Sequence, residues 1–376
     1  MSAIEPTAIT ELRLLADDVT GALDTAAQFT AALGPIPVHW GSDMRIVSGS
    51  MGLDSATREG STADAAAKIA TLATVLIAGP DILAFKKLDS LLRGHDAVEI
   101  NMCLQVIKPT YCIVAPAFPF QHRVTRGGRQ YTLENADWRL IPSDLARDLT
   151  KLGHQVTICR PADAVPNGIS IWDASTDSDL AAIAAKGRAL GDVLWCGSSG
   201  LAGALVDLRA PNEPVQPLRC PIFGLFGSNH PSTVAQLEQC GPLHMRLDDG
   251  SINSAKRIAR GLKMDGTVFA SFNLPAGLAR AEAAARINSE MARLVQHIDP
   301  PGALIVAGGE TLRALCISLG AVRLDVQGQI MQGVPRSIMR GGRFDGVEVL
   351  SKSGAFGAPS FLQHLVGAWP LQSKEC

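Results

Sequence analysis

The chain has 376 residues, which at roughly 150 residues per domain suggests two domains, each long enough to bury its own core. Basic residues number 34 against 36 acidic, a net charge of −2, which argues against nucleic acid as a principal partner because phosphate backbones select clustered Lys and Arg. Apolar residues make up 47% and charged residues 19%, a globular composition, and no apolar run nears the roughly 18 residues of a membrane helix, so no membrane partner is expected.

In chain order, Met1–Glu11 carries Glu5 and Glu11 before any basic residue, unlike a signal peptide. Leu12–Ala16 reads as a short apolar strand, Asp17–Gly21 as the turn after it, and Asp24–Ala32 as helix. Ser61-Thr62-Ala63-Asp64 has the form of a capping box before an Ala-rich helix. Ile82–Phe85, Cys112–Ala115, Gln155–Arg160, Ile169–Asp173 and Asp192–Cys196 read as strands, with helix Ser178–Leu190 between the last two. A further helix follows Gly197-Ser198-Ser199-Gly200 and ends near Arg209. The three prolines of Ala210–Pro217 predict an extended linker, and therefore domains over 1–210 and 211–376. Beyond it the pattern restarts: strand Ile222–Phe226, helix from Pro231, strand Thr267–Ala270, long helix Pro275–His297, strand Ala303–Val306, helix from Thr311, strand Val347–Leu350 and a last helix Pro359–Leu365. Short strands alternating with helices predict an α/β fold of two domains, each a mostly parallel sheet flanked by helices. The eight cysteines, Cys103, Cys112, Cys159, Cys196, Cys220, Cys240, Cys316 and Cys376, form no CxxC motif, which fits reduced thiols and a cytoplasmic protein.

Three features of the first half follow strands or sit in nearby loops, where open α/β sheets bind ligands. Asp17 and Asp18, with Asp24 six residues on, crowd carboxylates at a strand end. A polyol, a metal or a basic neighbour would relieve the repulsion; alternatively Asp18 or Thr20 caps a helix and the others face water. Lys86, Lys87 and Arg93, interleaved with Asp89 and Ser90 and joined by Arg58 from a separate loop, read either as a small-acid clamp or as a solvated basic loop ion-paired to the aspartates. Ala115-Pro116-Ala117-Phe118-Pro119, with Arg123, Thr125, Gly127, Gly128 and Tyr131, reads as a fixed loop with polar residues able to line a pocket. The second half has three glycine-containing loops after strands: Phe226-Gly227-Ser228, Ala307-Gly308-Gly309-Glu310-Thr311 and Lys352–Gly357. Glycines let backbone N–H groups approach phosphate oxygens, and a helix N-terminus adds a favourable dipole. No GxxxxGK[ST] occurs, which excludes a P-loop NTPase, and no GxGxxG occurs, which weighs against a dehydrogenase.

The ordered set ADDVTGALDT, DSATR, KKLDSLLRGH, APAFP with a later Arg, GSSGLA, GSNHPST, GGETLRAL, GVP and KSGAFG resembles the four-carbon acid sugar kinase family, from about Leu12 to Leu365. The resemblance implies an ATP-dependent kinase of threonate, erythronate or 3-oxo-tetronate in carbohydrate catabolism. Its N-terminal domain would hold the acid and its C-terminal domain the nucleotide. By motif, Arg58, Lys86, Lys87, Asp89, Ser90 and Arg93 fall on the acid side with Asp17 and Asp18 as the catalytic pair. Ser228, Gly308, Gly309, Glu310, Thr311 and Gly354 fall on the nucleotide side. His122 stands where the family has Gly before Arg123, and Ser199 where Ala is usual.

The mechanism expected has Arg58 and the Lys86–Arg93 loop clamp the substrate carboxylate, while Asp17 or Asp18 binds hydroxyls and acts as base. Mg2+ would bridge the ATP phosphates, with Glu310 and Asp24 as candidate ligands. The rival from another class is a non-catalytic sugar-acid sensor on the same scaffold. A homo-oligomer is compatible with the sequence, which does not fix the oligomeric state.

Overall fold

Leu12, Leu14, Leu15 and Ala16 are all fully buried, the signature of a strand covered on both faces. In the computed structural model, which describes residues 9–41, 48–77, 82–206, 216–227, 230–275 and 277–367, they form the first strand, β1 (Glu11–Ala16). The chain divides into two compact units, Met1–Asn212 and Glu213–Cys376. The proline-rich segment read as a linker, Ala210–Pro217, lies largely outside the described residues.

In the first unit β1 is followed by α1 (Val19–Leu33), β2 (Ile36–Trp40), β3 (Met51–Asp54), α2 (Thr62–Leu72), β4 (Ile82–Lys87), α3 (Asp96–Ile107) and β5 (Tyr111–Ala115). Then come β6 (Arg123–Arg126), β7 (Arg129–Glu134), β8 (Asp137–Leu140), α4 (Leu145–Lys151), β9 (Val156–Cys159), β10 (Gly168–Trp172), α5 (Asp177–Arg188), β11 (Val193–Gly197) and α6 (Ser199–Leu205). Strands pair in the order β2-β3-β1-β4-β11-β5-β10-β9, all parallel. From β1 the chain runs out to β2 and β3 on one side and then crosses to β4 on the other. The topological switch point therefore lies between the carboxyl ends of β1 and β4, where such sheets bind ligands. One face of the core packs Leu15, Leu53, Ile100, Val114 and Ile169.

The segment after Pro119, read from sequence as a loop, is instead an antiparallel sheet β6-β7-β8. Arg126 pairs with Arg129 across a two-residue turn, Gly127-Gly128, in which both residues have positive φ (58° and 71°). That is the primed hairpin turn that matches strand twist, and the Asp173 carboxylate accepts both turn N–H groups at 2.8 Å. His122 just before it also has positive φ (55°) and is exposed, so its ring does not fill the interior. A left-handed backbone favours Gly, which accounts for the residue the family has there.

The second unit contains β12 (Ile222–Phe226), α7 (Pro231–Gln239), β13 (His244–Leu247), α8 (Ile252–Asp265), β14 (Thr267–Phe272), α9 (Arg280–Val295), β15 (Ala303–Ala307) and α10 (Gly309–Ser318). It ends with β16 (Arg323–Met331), β17 (Val334–Arg340), β18 (Glu348–Lys352) and α11 (Phe361–Gly367). The order is β13-β14-β12-β15-β18-β17-β16, parallel as far as β18 and antiparallel beyond. Here the switch point lies between β12 and β15. Phe226, Phe269, Ile305, Leu350 and Leu362 pack its core. The α/β class expected from sequence is thus the observed one. The Gly-Val-Pro motif lies at the β16–β17 hairpin, where Met331 pairs with Val334 and Gly333 takes φ 85°.

Candidate active site

Asp17 and Asp18 follow β1, and Lys86 and Lys87 end β4, so both motifs meet at the switch point of the first unit. The Asp54–Arg58 segment follows β3 and wraps onto the same place: Thr57 and Arg58 donate their backbone N–H groups to the Asp17 carbonyl. Arg58 then places its guanidinium between the two aspartates. Nε and Nη2 reach Asp17 at 2.7 and 2.8 Å, and Nη1 and Nη2 reach Asp18 at 2.7 and 2.9 Å. Asp18 is also the N-cap of α1, accepting from Gly21 N–H at 2.8 Å. The two readings of the aspartate pair are both realised, one by each residue: Asp18 caps, and Asp17 is buried against a basic neighbour. Two glycines make room for this. A Cβ at Gly21 would lie 2.6 Å from Asp18 Oδ1, and one at Gly94 2.9 Å from Asp17 Oδ2.

Arg58 was expected to hold the substrate carboxylate, but its fork is already filled by Asp17 and Asp18. Lys86 differs from expectation too. It has no exposed surface, and its ammonium sits 2.7 Å from Glu99 and donates to the Lys87 carbonyl at 2.8 Å. Glu99 in turn accepts from Thr57 Oγ1 at 2.6 Å, so Lys86 supports the Asp54–Arg58 segment from beneath. Lys87 is nearly buried and donates to the Leu88 carbonyl at 2.6 Å. Asp89 accepts Arg93 Nε and Nη2 at 2.5 and 2.9 Å. Lys86 and Arg93 are therefore ion-paired to carboxylates, Lys86 out of water and Arg93 exposed. Ser90 is held by Arg123 Nη1 at 2.6 Å, and Gln130 ties the Ser90 and Pro116 carbonyls together at 2.9 and 3.2 Å.

The electrostatics divide the carboxylates. Burial opposes ionisation of Asp17, but Arg58 and then Lys86 and Lys87 outweigh it, and its carboxyl lies below the ordinary range. Burial, helped by the Asp17 charge, outweighs Arg58 at Asp18 and pushes that carboxyl up. At Asp89 burial is overcome by the Arg93 hydrogen bonds and the Arg58 charge, and the carboxyl is held low. Burial, with Asp17 and Glu99 nearby, raises Asp96 well above its usual value.

Arg123 is the residue the sequence reading left out of the acid site. Its guanidinium donates to Ser90 Oγ and Gln121 Oε1, both neutral, and its buried Nε has no hydrogen-bond partner. Among the described residues no carboxylate lies within ion-pair distance of it, and burial lowers its proton affinity. Arg58, Lys86 and Arg93 all have carboxylate partners. Arg123 has none, and among the described residues neither does Lys87, whose ammonium is turned to the Leu88 carbonyl; the Arg123 fork is thus suited to an anionic ligand. Sequence spacing could not reveal this, because β6 brings Arg123 back from an inserted sheet.

The Gly197–Ala202 motif supports the site by close packing. A Cβ at Gly197 would meet the Ala115 carbonyl at 2.5 Å, and Ser199 lies 3.3 Å from Thr25 of α1 through its hydroxyl.

In the second unit Gly308, Gly309, Glu310 and Thr311 lie at the start of α10, after β15, and Gly354 lies in the loop after β18. Ser228 lies outside the described residues. The positive φ of this loop (98°) belongs to Gly308, not Gly309. Gly308 N–H donates to the Lys352 carbonyl at 2.9 Å, joining the two loops, and α10 has no side-chain cap. Its first-turn N–H groups therefore point outward as donors. Thr233 and Gln236 of α7 hold the carbonyls of Gly354, Phe356, Gly357 and Ala358 at 2.7 to 3.1 Å. These bonds, with Phe356 N–H donating to the Ser353 carbonyl at 3.1 Å, fix the loop beside the glycine turn. A cavity of about 290 Å3 opens by Gly227 at the ends of β12, β13 and β14, lined in part by Arg246, Ser271, Asn273 and Leu274. Its polar members carry no sequence motif and were not anticipated.

Comparison with known proteins agrees with this division. A sugar-binding N-terminal domain model matches residues 12–151, and a nucleotide-binding C-terminal domain model matches 224–362. A D-threonate kinase of Cupriavidus necator is 30% identical over 343 residues, covering 77% of this chain and 80% of that protein. A D-erythronate kinase of Heliobacterium modesticaldum is 23% identical over 421 residues, covering 92% and 93%. Among solved structures, a Salmonella typhimurium LT2 protein matches with a TM-score of 0.72 at 20% identity, covering 94% of this chain and 98% of its own. No described helix is long and apolar enough to cross a membrane. The two matched domain models, and the motifs they place at two switch points, establish that the chain belongs to the four-carbon acid sugar kinase family.

Proposed function

We propose that the protein transfers the γ-phosphoryl group of ATP to a hydroxyl of a four-carbon sugar acid of the threonate, erythronate or 3-oxo-tetronate type, in carbohydrate breakdown. The observation that carries this reading is Arg123: a half-buried guanidinium bonded only to neutral side chains, one of them Ser90 in the loop that follows β4 at the switch point of a sugar-binding domain. In this reading Arg123 takes the substrate carboxylate. Arg58 fixes Asp17 and Asp18, and Asp18, the more exposed of the two, receives the proton of the attacked hydroxyl. The nucleotide phosphates lie against the Gly308–Thr311 turn, which presents backbone donors, and the loop after β18 fixed beside it. Phosphoryl transfer asks mainly for positioning and charge stabilisation, which these groups supply.

Among the described residues no three His, Cys, Asp or Glu side chains converge as a metal cage. A Mg2+ that travels with ATP needs only one or two carboxylates besides phosphate oxygens and water, and the exposed Glu310 in the first turn of α10 suits that role. Asp24 is buried in α1 of the first unit and suits it less. When bound, the ion would neutralise charge developing on the phosphates.

The direct test is ADP release from Mg-ATP across a panel of C4 sugar acids with the purified chain. Acid-dependent ADP release is expected. Acid binding without turnover would support a sensor instead. Arg123→Ala is expected to raise the acid KM by about tenfold to a hundredfold, the loss of a charged hydrogen bond worth about 1.5–3 kcal/mol, with ADP affinity unchanged. An unaltered KM would remove Arg123 from the acid site.

Gly308→Val tests the nucleotide side. Valine is strained at φ 98° and its branched side chain would crowd the turn, so ADP binding measured by calorimetry should drop below detection. Acid binding by the same variant should persist, and normal ADP affinity would place the phosphates elsewhere.

A further inference from the structure

Lys352 ends β18 beside the glycine turn, its Cα paired with that of Ala307 and its carbonyl accepting from Gly308 N–H. The residue is 2% exposed. Its ammonium donates to the carbonyls of Ser353 and Phe356, each at 3.1 Å. Among the described residues no carboxylate lies within ion-pair distance of it. This is unlike Lys86, the other fully buried lysine, which is neutralised by Glu99. The titratable groups on its own strand and the elements around it are Glu348 of β18, Arg336 and Arg340 of β17, Glu310 and Arg313 of α10, Glu238 of α7 and His364 of α11. Glu348 is engaged by Arg336, and Arg340 by Asp325. Burial alone pushes the Lys352 ammonium down to about 8.

A buried ammonium without a counter-ion is costly to retain, and removing the charge usually stabilises a fold. The neighbouring uncapped first turn of α10 presents N–H donors, so the missing negative charge is most simply one that those donors also bind. We propose that Lys352 is a phosphate-binding residue of the nucleotide site, its charge neutralised when a nucleoside diphosphate or triphosphate lies against the Gly308–Thr311 turn and the loop after β18. The proposal rests on the nucleotide reading above and adds to its glycine loops a role for the cation that opens the Lys352–Gly357 loop. The loop carbonyls hold the ammonium in place until the phosphate arrives, and Lys352 remains a donor to them or turns to the phosphate oxygens.

The test is calorimetry of ADP with MgCl2 on the full chain at pH 8.5, in two buffers of different ionisation enthalpy. At that pH Lys352 is only partly protonated before binding. A phosphate beside it raises its proton affinity, so binding should take up a fraction of a proton, on the order of one half. Lys352→Met should abolish the uptake and weaken ADP by about tenfold to a hundredfold. Lys352→Arg should restore most of the affinity but not the uptake, since Arg does not titrate. ADP binding to the wild type without proton uptake, or with equal affinity in Lys352→Met, would overturn the proposal and leave the nucleotide site intact. Should Lys352→Met fail to fold, the wild-type uptake and the Lys352→Arg comparison still decide. Failure of the wild type to bind ADP at all would sink the nucleotide reading itself.

Discussion

Arg58→Ala is expected to unfold the first unit more easily by about 3–5 kcal/mol and to abolish turnover, rather than simply to weaken substrate binding. The guanidinium makes four hydrogen bonds to Asp17 and Asp18, and its removal leaves two buried carboxylates facing each other. The deficit should depend on pH with a definite sign. Asp17 and Asp89 are held below the ordinary carboxylate range, so each contributes stability that is present above about pH 4 and lost as the pH falls through its folded value. Asp18 and Asp96 are raised and act in the opposite sense, costing stability as the pH rises from about 4 through their folded values. Without Arg58 the Asp17 contribution changes sign as well. Urea unfolding should therefore show the variant most impaired near pH 7 and progressively closer to wild type toward pH 4. A pH-independent deficit would mean that Arg58 acts by packing. Unchanged stability with a raised acid KM would restore the direct clamp read from the sequence.

That difference shows where the sequence was informative. Apolar runs such as Ala303–Val306, and Leu12–Ala16 interrupted only by Arg13, announce central parallel strands covered on both faces. Their alternation with helices fixed the α/β class, and the motif residues followed because ligand loops sit at strand ends. The inserted sheet β6-β7-β8 was less legible: its strands are short, β8 is exposed throughout, and Gly127-Gly128 signals a loop as readily as a hairpin turn. Strands β2 and β3 are likewise short, and the apolar character of β16 is diluted by polar residues.

Charge pairing was the larger gap. A one-dimensional reading lists Arg58, Lys86, Lys87 and Arg93 as equivalent cations. In space each meets a different partner, and one is sealed from solvent. Among the described residues Lys87, Arg123 and Lys352 have no carboxylate within ion-pair distance, and no spacing in the sequence announces that property. That property is set by the sheet register and by the hairpin, not by the residues on either side.

The same asymmetry separates the two aspartates. Asp17 is almost wholly buried and its carboxyl is held low by Arg58, a poor proton acceptor. Asp18 is 22% exposed at its side chain, sits at the N-terminus of α1, and has a raised proton affinity. A base works best when its proton affinity is not far below that of the medium, so Asp18 is the better candidate. Asp18→Asn keeps the cap, because Asn caps a helix about as well as Asp and the Gly21 N–H bond survives, but its amide nitrogen takes the place of the oxygen that accepts Arg58 Nη1, at a side chain 22% exposed. Turnover should fall by about 10²–10⁴-fold, far out of proportion to a modest drop in melting temperature, with acid KM close to wild type, and the acid limb of the kcat profile should disappear. Asp17→Asn should cost more stability, because its side chain is 2% exposed. Its amide nitrogen would face a guanidinium N–H, breaking one arm of the fork, so the variant should lose stability in step with activity. Near-wild-type turnover in Asp18→Asn would exclude it as the base. A stable but inactive Asp17→Asn would move the role to Asp17, with its low proton affinity then relieved by bound substrate displacing Arg58.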